Sequence, residues 1–305
     1  MPYQLFAKFK IPLILAGLAF LSFLLTNYNN KPHFQEVFTI GKNLFEDKAK
    51  VNQERADKIY SILKSNLQSP NGKYTAYVKD LKSGEVFSIL PDEQMAAASI
   101  YKLAVMYKTF DSLEKGDVKE NDVLSASQGR LDNLLGQKQG SGSIVSHTVD
   151  DALSLMITIS DNYSALLLAE KFGWREIDNY LKNQGIFDFE LNNPNGTRAT
   201  ATSVGQILEK IYLGQAVSKS ASNEMKKLLL SQQVNDRIPK YLPQNVKVAH
   251  KTGELDTVRN DAGIVFGKKS DYIFVFFTDT PNPDAASETI AQTSRDIYNV
   301  LETGD

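Results

Sequence analysis

Three short groups of residues in this chain have the types and the order needed for nucleophilic chemistry on a serine. They are Ser99-Ile100-Tyr101-Lys102, Ser160-Asp161-Asn162 and Lys251-Thr252-Gly253. A serine hydroxyl is a weak nucleophile at its free pKa and needs a base beside it. Lys102 lies three residues after Ser99, a spacing that returns its amine to the same helix face. An amine acts as a base only when neutral, and burial beside a second cation, here Lys251, lowers its pKa toward that state. Ser160 can relay a proton to a leaving nitrogen. Asn162 offers an amide to grip a substrate, and Lys251 with Thr252 presents a cation and a hydroxyl to a carboxylate. Gly253 leaves room for a ligand to approach the backbone.

None of these groups is selective alone. Ser-x-x-Lys recurs at Ser61–Lys64 and Ser112–Lys115, and Lys-Ser-Gly at Lys82–Gly84. Ser61 and Lys64 read as surface positions of a helix. Lys82–Gly84 reads as a hairpin turn that precedes every candidate nucleophile. Order and context select the other copies. Ser99 follows Ala96-Ala97-Ala98 and opens a helix, where unpaired N–H groups and the positive end of the dipole gather. Ser160-Asp161-Asn162 falls at a break between two helical runs, and Lys251-Thr252-Gly253 ends a strand.

The positioning elements follow from the apolar spacing. Val51, Ala56, Ile59, Ile62, Leu63 and Leu67 recur at helical intervals, stopped by Ser69-Pro70-Asn71-Gly72. Tyr74–Lys79 and Glu85–Leu90 flank a glycine-containing turn and form a β-hairpin. From Ala96 to about Leu230 the pattern is helical, interrupted by Gly185–Thr200, a surface loop rich in Asn, Gly and Pro. Val246–His250, Ala262–Phe266 and Tyr272–Thr278 read as strands, and Ala285–Leu301 as a last helix. The layout is α+β. It predicts an antiparallel sheet built from both chain ends (51–95 and 244–305), flanked by the N- and C-terminal helices, with an all-helical lobe over 96–243.

Composition narrows the function classes. The 305 residues carry 34 Lys and Arg against 36 Asp and Glu, a net charge of −2, with no basic surplus for nucleic acid. There is no cysteine, so disulfide, thiolate and iron–sulfur chemistry are excluded. His33, His147 and His250 have no ligand spacing among them, so neither a metal nor another cofactor is expected. At the N-terminus Lys8 and Lys10 precede an apolar run, Ile11 to Leu25, with polar Thr26–Lys31 after it. This pattern directs the chain out of the cytoplasm. No small-residue cleavage site follows Leu25. Residues 1–30 therefore read as a signal anchor, about 5–27 lying in the membrane, or as a signal peptide if it is cut and the protein secreted. Residues 31–50 read as a linker to a catalytic domain over 51–305, expected as a monomer.

The three motifs together, in this order, resemble the class A β-lactamases and penicillin-binding proteins. The resemblance covers roughly Val51 to Leu301, and the 61 positions from Ser99 to Ser160 are close to the family's separation. It implies the β-lactamase/transpeptidase-like fold and a β-lactam or cell-wall peptide as substrate. In the family's pattern Ser99 is the nucleophile, and the backbone N–H groups of Ser99 and Glu254 form the oxyanion hole. Arg259, in Val258-Arg259-Asn260-Asp261-Ala262-Gly263, either helps to hold a carboxylate or is a surface arginine. The chain departs from the family in the loop that activates water. Asp188-Phe189-Glu190-Leu191-Asn192 places Asp188 where a glutamate belongs, with Glu190 as a second candidate. Ala199 replaces an aspartate that normally clamps the loop. Three activities stay open: a β-lactamase, a D-alanyl-D-alanine carboxypeptidase or related penicillin-binding enzyme with slow release, and a non-catalytic anchored sensor.

Overall fold

The computed structural model describes residues 52–66, 72–137 and 142–303. The export segment, the linker 31–50 and the Ser69-Pro70-Asn71 helix stop lie outside the described residues. The chain divides into two units, Met1–Glu54 and Arg55–Asp305, and the three motifs all fall in the second.

A helix over 52–66 is followed by the hairpin of β1 (Lys73–Asp80) and β2 (Val86–Ile89). At the far end of the chain come β8 (Lys247–Glu254), β9 (Arg259–Phe266), β10 (Tyr272–Asp279) and a helix, Pro283–Glu302. The five strands form one antiparallel sheet in the order β2-β1-β10-β9-β8. Strand periodicity sorts its side chains to two faces. Tyr272, Phe274 and Phe276 point to the core that also holds Ile59 and Leu63 of the first helix and Ile290 and Ile297 of the last. Ile273, Val275 and Phe277 point to the other core, shared with the helical lobe. Strands buried on both faces read as nearly continuous apolar runs, as Tyr272–Thr278 does.

The lobe between the two halves of the sheet is built from Lys102–Lys115, Val149–Thr158, Asn162–Phe172, Trp174–Asn183, Ala201–Tyr212 and Lys219–Leu230. It is not helical throughout. Val123–Ser127 (β4) and Ile144–Thr148 (β5) pair as a two-stranded ribbon. Their outward apolar residues Val123 and Ile144 are exposed, so apolar spacing there does not mark a buried strand face. A second small sheet joins Met95–Ala96 (β3), Arg198–Ala199 (β7) and Phe189–Glu190 (β6). It ties the loop after residue 185 to the residues just before Ser99.

The aromatic centre of the sheet is buried. Phe276 is fully buried and meets Tyr74 and Phe274 edge-on, with ring centroids 6.3 and 5.8 Å away. Phe276→Ala is expected to lower the unfolding free energy by about 3–5 kcal/mol. Urea denaturation checks this, and a loss under about 1 kcal/mol would mean that Phe276 is not packed in the core as described.

Candidate active site

Ser99 sits on a tight connection rather than on the α-helix itself. Ala98–Tyr101 form a 3₁₀ turn, and the α-helix begins at Lys102. The chain reaches the turn from β3 under firm control. Ala97 N donates to Thr197 O at 2.9 Å, and Asn260 Nδ2 donates to Ala96 O at 2.9 Å and Ala97 O at 3.3 Å. Ala98 has φ of 46°, in the left-handed region that costs a side chain roughly 1–2 kcal/mol. The turn packs directly on β8. A Cβ on Gly253 would lie 3.0 Å from Ala97 O and 3.1 Å from an Ile100 side-chain carbon. A side chain there would crowd the protein's own backbone by a few tenths of an ångström, a constraint beyond the expected room for a ligand.

Ser160 is the second strained residue. The helix Val149–Thr158 ends, Ser160 takes φ of 61°, and Asp161 caps the next helix by accepting from Ser164 N at 2.7 Å. The left-handed turn aims both oxygens of Ser160 at one amine. Lys102 Nζ donates to Ser160 O at 2.6 Å, lies 3.1 Å from Ser160 Oγ, and reaches Asn162 Oδ1 at 2.8 Å. From the opposite wall, Lys251 Nζ lies 2.9 Å from the same Ser160 Oγ and 2.9 Å from Thr252 O. One hydroxyl therefore bridges two lysine amines, both fully buried.

Two ammonium ions cannot share so small and dry a volume at ordinary lysine pKa values. Burial lowers Lys102 to about 7, partly opposed by the negative charge of Asp161. Lys251 is also lowered to about 7, by burial first and then by the charge of Lys102. A neutral Lys102 has two N–H bonds, which Ser160 O and Asn162 Oδ1 can take, and a lone pair left to accept a proton. Beside it, the Tyr101 ring has its centroid 5.9 Å from Lys102 Nζ and 5.6 Å from that of Trp174, walling this side of the site.

Hydrogen bonds thus bring together Lys102, Ser160, Asn162, Lys251 and Thr252, with Ser99 and Gly253 on the two segments that pack against each other. Asp188 and Arg259 are placed differently. Asp188 has φ of 58°, and its carbonyl accepts from Thr200 N, Gln94 Nε2 and Ser203 Oγ. Its side chain is exposed, and no hydrogen bond of its carboxylate occurs among the described residues. The Glu190 carboxylate accepts from Asn193 Nδ2 at 2.6 Å. Arg259 turns back on its own hairpin, donating to Leu255 O and Val258 O.

Three functional residues carried no usable signal in the sequence. Asn260 braces the segment entering Ser99. Asp178, on Trp174–Asn183, accepts from Leu191 N at 2.7 Å and Asn192 N at 3.0 Å. Together with Arg198, which donates to Gln94 O at 2.7 Å, it clamps the loop where the family's aspartate is missing. Burial raises the Asp178 carboxyl above the usual range against the pull of those two N–H groups. Arg237 is fully buried beside β8 and pairs with Glu254. It is held there by the neighbouring Ile238 N, which donates to Asp261 Oδ2 at 3.0 Å, while Asp261 meets His250 Nδ1 at 2.9 Å.

A family model described as the β-lactamase enzyme family matches residues 54–301. β-Lactamase BRO-1 of Moraxella catarrhalis is 23% identical over 312 residues, covering 95% of this chain and 96% of that protein. Among solved structures, PBP-A is similar with a TM-score of 0.72 at 24% identity, over 80% of this chain and 95% of that one. A variant of PBP-A captured as an acyl-enzyme complex with penicillin G superposes with the same score. A β-lactamase from Sphaerobacter thermophilus gives 0.69 at 22% identity, over 82% and 97% of the two chains.

The lowered lysines give the site a pH signature. Lys102 becomes a base only as it loses its proton. Modification of Ser99 by an uncharged activated ester should therefore accelerate as pH rises through about 7 and then level off. An anionic reagent should slow again at higher pH, because Lys251 loses its charge over the same range. Stopped-flow rates from pH 5 to 10 check this, and a midpoint near 10 would mean that Lys102 is an ordinary solvated lysine.

Proposed function

The chain belongs to the β-lactamase enzyme family, and from that premise we propose that it is an active-site serine hydrolase opening β-lactams through an acyl-enzyme on Ser99. The observation that supports this best is the Ser160 hydroxyl held between Lys102 and Lys251 at 3.1 and 2.9 Å. Such a bridge is a proton path with a base at one end and a carboxylate-binding cation at the other.

In the proposed reaction neutral Lys102 takes the Ser99 proton as Oγ attacks the lactam carbonyl. The Oγ–C bond forms and negative charge collects on the carbonyl oxygen, which the N–H groups of Ser99 and Glu254 receive. Preorganised donors of this kind give the largest single electrostatic contribution in many acyl transfers. The C–N bond then breaks. Ser160 gives its proton to the lactam nitrogen and is refilled by the proton on Lys102. Lys251 and Thr252 hold the substrate carboxylate, and Asn162 the acyl side chain. Release needs a water and a base, and Asp188 is the carboxylate we assign to it, with Glu190 the alternative.

A second reading is favoured by one observation, the exposed Asp188 carboxylate with no hydrogen bond to the lysine pair. If that carboxylate does not activate water, the enzyme acylates and releases slowly, as a D-alanyl-D-alanine carboxypeptidase or another penicillin-binding enzyme does. For either activity we place the catalytic domain outside the cytoplasm as a monomer. Membrane attachment rests on the basic flank and apolar run of residues about 5–27.

A chromogenic cephalosporin and intact-protein mass spectrometry test both readings on the full chain. Turnover without a lasting adduct is the expected result, and a stable adduct without turnover would transfer the proposal to the second reading. Ser99→Ala should abolish acylation, and an unchanged rate would remove Ser99 as nucleophile. Asp188→Asn should slow release by at least tenfold while sparing acylation, and equal release rates would exclude Asp188 as the base.

A further inference from the structure

Arg237 presents an electrostatic problem that the reaction above leaves unsolved. Its side chain is 1% exposed, and a buried guanidinium without an anion is strongly unfavourable. Neutral groups fix two of its nitrogens: Nη1 donates to Asn260 O at 3.2 Å, and Nε lies 3.4 Å from Ser287 Oγ. The remaining nitrogen, Nη2, faces carboxylates. It is hydrogen-bonded to Glu254 Oε1, and Asp236 Oδ2 lies 3.6 Å away. The Glu254 side chain is 51% exposed, so its carboxylate stands between Arg237 and solvent.

Glu254 directly follows Lys251-Thr252-Gly253 on β8, the edge strand of the sheet. Both Arg237 and Glu254 act on Lys251, Arg237 holding its pKa down and Glu254 pulling it up. The three charges therefore share one electrostatic site, at the place assigned to the substrate carboxylate. A substrate anion arriving there meets a carboxylate already in position.

We propose that Glu254 is a specificity-determining residue. It is a built-in anion that neutralises Arg237 in the empty site and opposes the carboxylate of an incoming substrate. The inference rests on the reading of Ser99 as an acylated nucleophile. It assigns a substrate preference to the site: Glu254 reduces the advantage that a free carboxylate has over a masked one. Like charges a few ångströms apart at a half-exposed position differ from a charge and a neutral amide by about tenfold in binding.

The experiment compares benzylpenicillin with its methyl ester, the same acyl donor without the anion. Acylation of Ser99 is followed by intact mass in wild type, Glu254→Gln and Glu254→Asp. Glu254→Gln should raise the second-order acylation rate with benzylpenicillin about tenfold, chiefly through the concentration at half-saturation. The rate with the ester should rise far less, so the ratio of the two rates shifts about tenfold toward benzylpenicillin. Glu254→Asp, which keeps the charge, should shift that ratio less than Glu254→Gln does. An equal gain with both substrates would overturn the inference, because the variant would then act through packing. A loss with benzylpenicillin would also overturn it, because Glu254 would then be orienting Arg237 for the substrate. In both cases acylation itself leaves the proposed function standing. No adduct on Ser99 in any of the chains would remove the proposed function and this inference with it.

Discussion

One hydroxyl shared by two buried amines is the constraint on which the rest of this structure depends. Lys102 and Lys251 come from opposite walls, one from the helical lobe and one from the edge of the sheet, and both end on Ser160 Oγ. Neither amine is stable there as an isolated ammonium ion, since desolvating a charge costs several kcal/mol. The arrangement persists because each amine is given acceptors: Ser160 O and Asn162 Oδ1 for Lys102, Thr252 O for Lys251. Burial thus lowers both amines to about 7, the condition that the proposed base at Lys102 requires.

The strained backbone serves the same end. Ala98 and Ser160 both lie in the left-handed region, immediately before Ser99 and at the bridge between the two lysines. Side chains in that region cost free energy and persist only where the surroundings over-determine them. Here Asn260 holds the carbonyls of Ala96 and Ala97 while β8 packs against the turn at Gly253, and Asp161 fixes the start of the helix after Ser160. The Asp in the middle motif works as a helix cap with a favourable charge toward Lys102, so one residue both stops the strained turn and raises the Lys102 amine toward its charged form.

How far these features are legible in the sequence depends on how local their causes are. The β1–β2 hairpin, the first and last helices and the apolar strand β10 follow from spacing, because each buries a face that its own residues define. The three motifs are legible because chemistry restricts residue types at fixed offsets. Arg237 and Asp178 are not, because each acts on a partner brought near only by the fold: Glu254 lies 17 positions away, and Leu191 and Asn192 lie 13 and 14. The β4–β5 ribbon is illegible for a different reason. Its outward residues Val123 and Ile144 are 65% and 66% exposed, so apolar character there does not report burial.

The residues proposed for acylation and for release differ in how they are held. Lys102, Ser160 and Lys251 belong to helix ends and a strand packed between two cores, and a shift of any of them would break hydrogen bonds of the other two. Asp188 and Glu190 sit on a loop held at backbone level, by Asp178 at Leu191 and Asn192 and by Thr200 at the Asp188 carbonyl. Those clamps fix where the chain runs; Asn193 holds the Glu190 carboxylate, while the exposed Asp188 carboxylate has no hydrogen bond among the described residues. Substitution in the loop can therefore alter or lose release while the acylating centre stays intact, because no hydrogen bond of the lysine pair passes through it. The reverse does not hold: a loop carboxylate has nothing to act on until Ser99 carries an acyl group. In the proposed reaction a change in this loop alone separates a penicillin-binding enzyme from a β-lactamase, and Asp188 is the residue on which that difference turns.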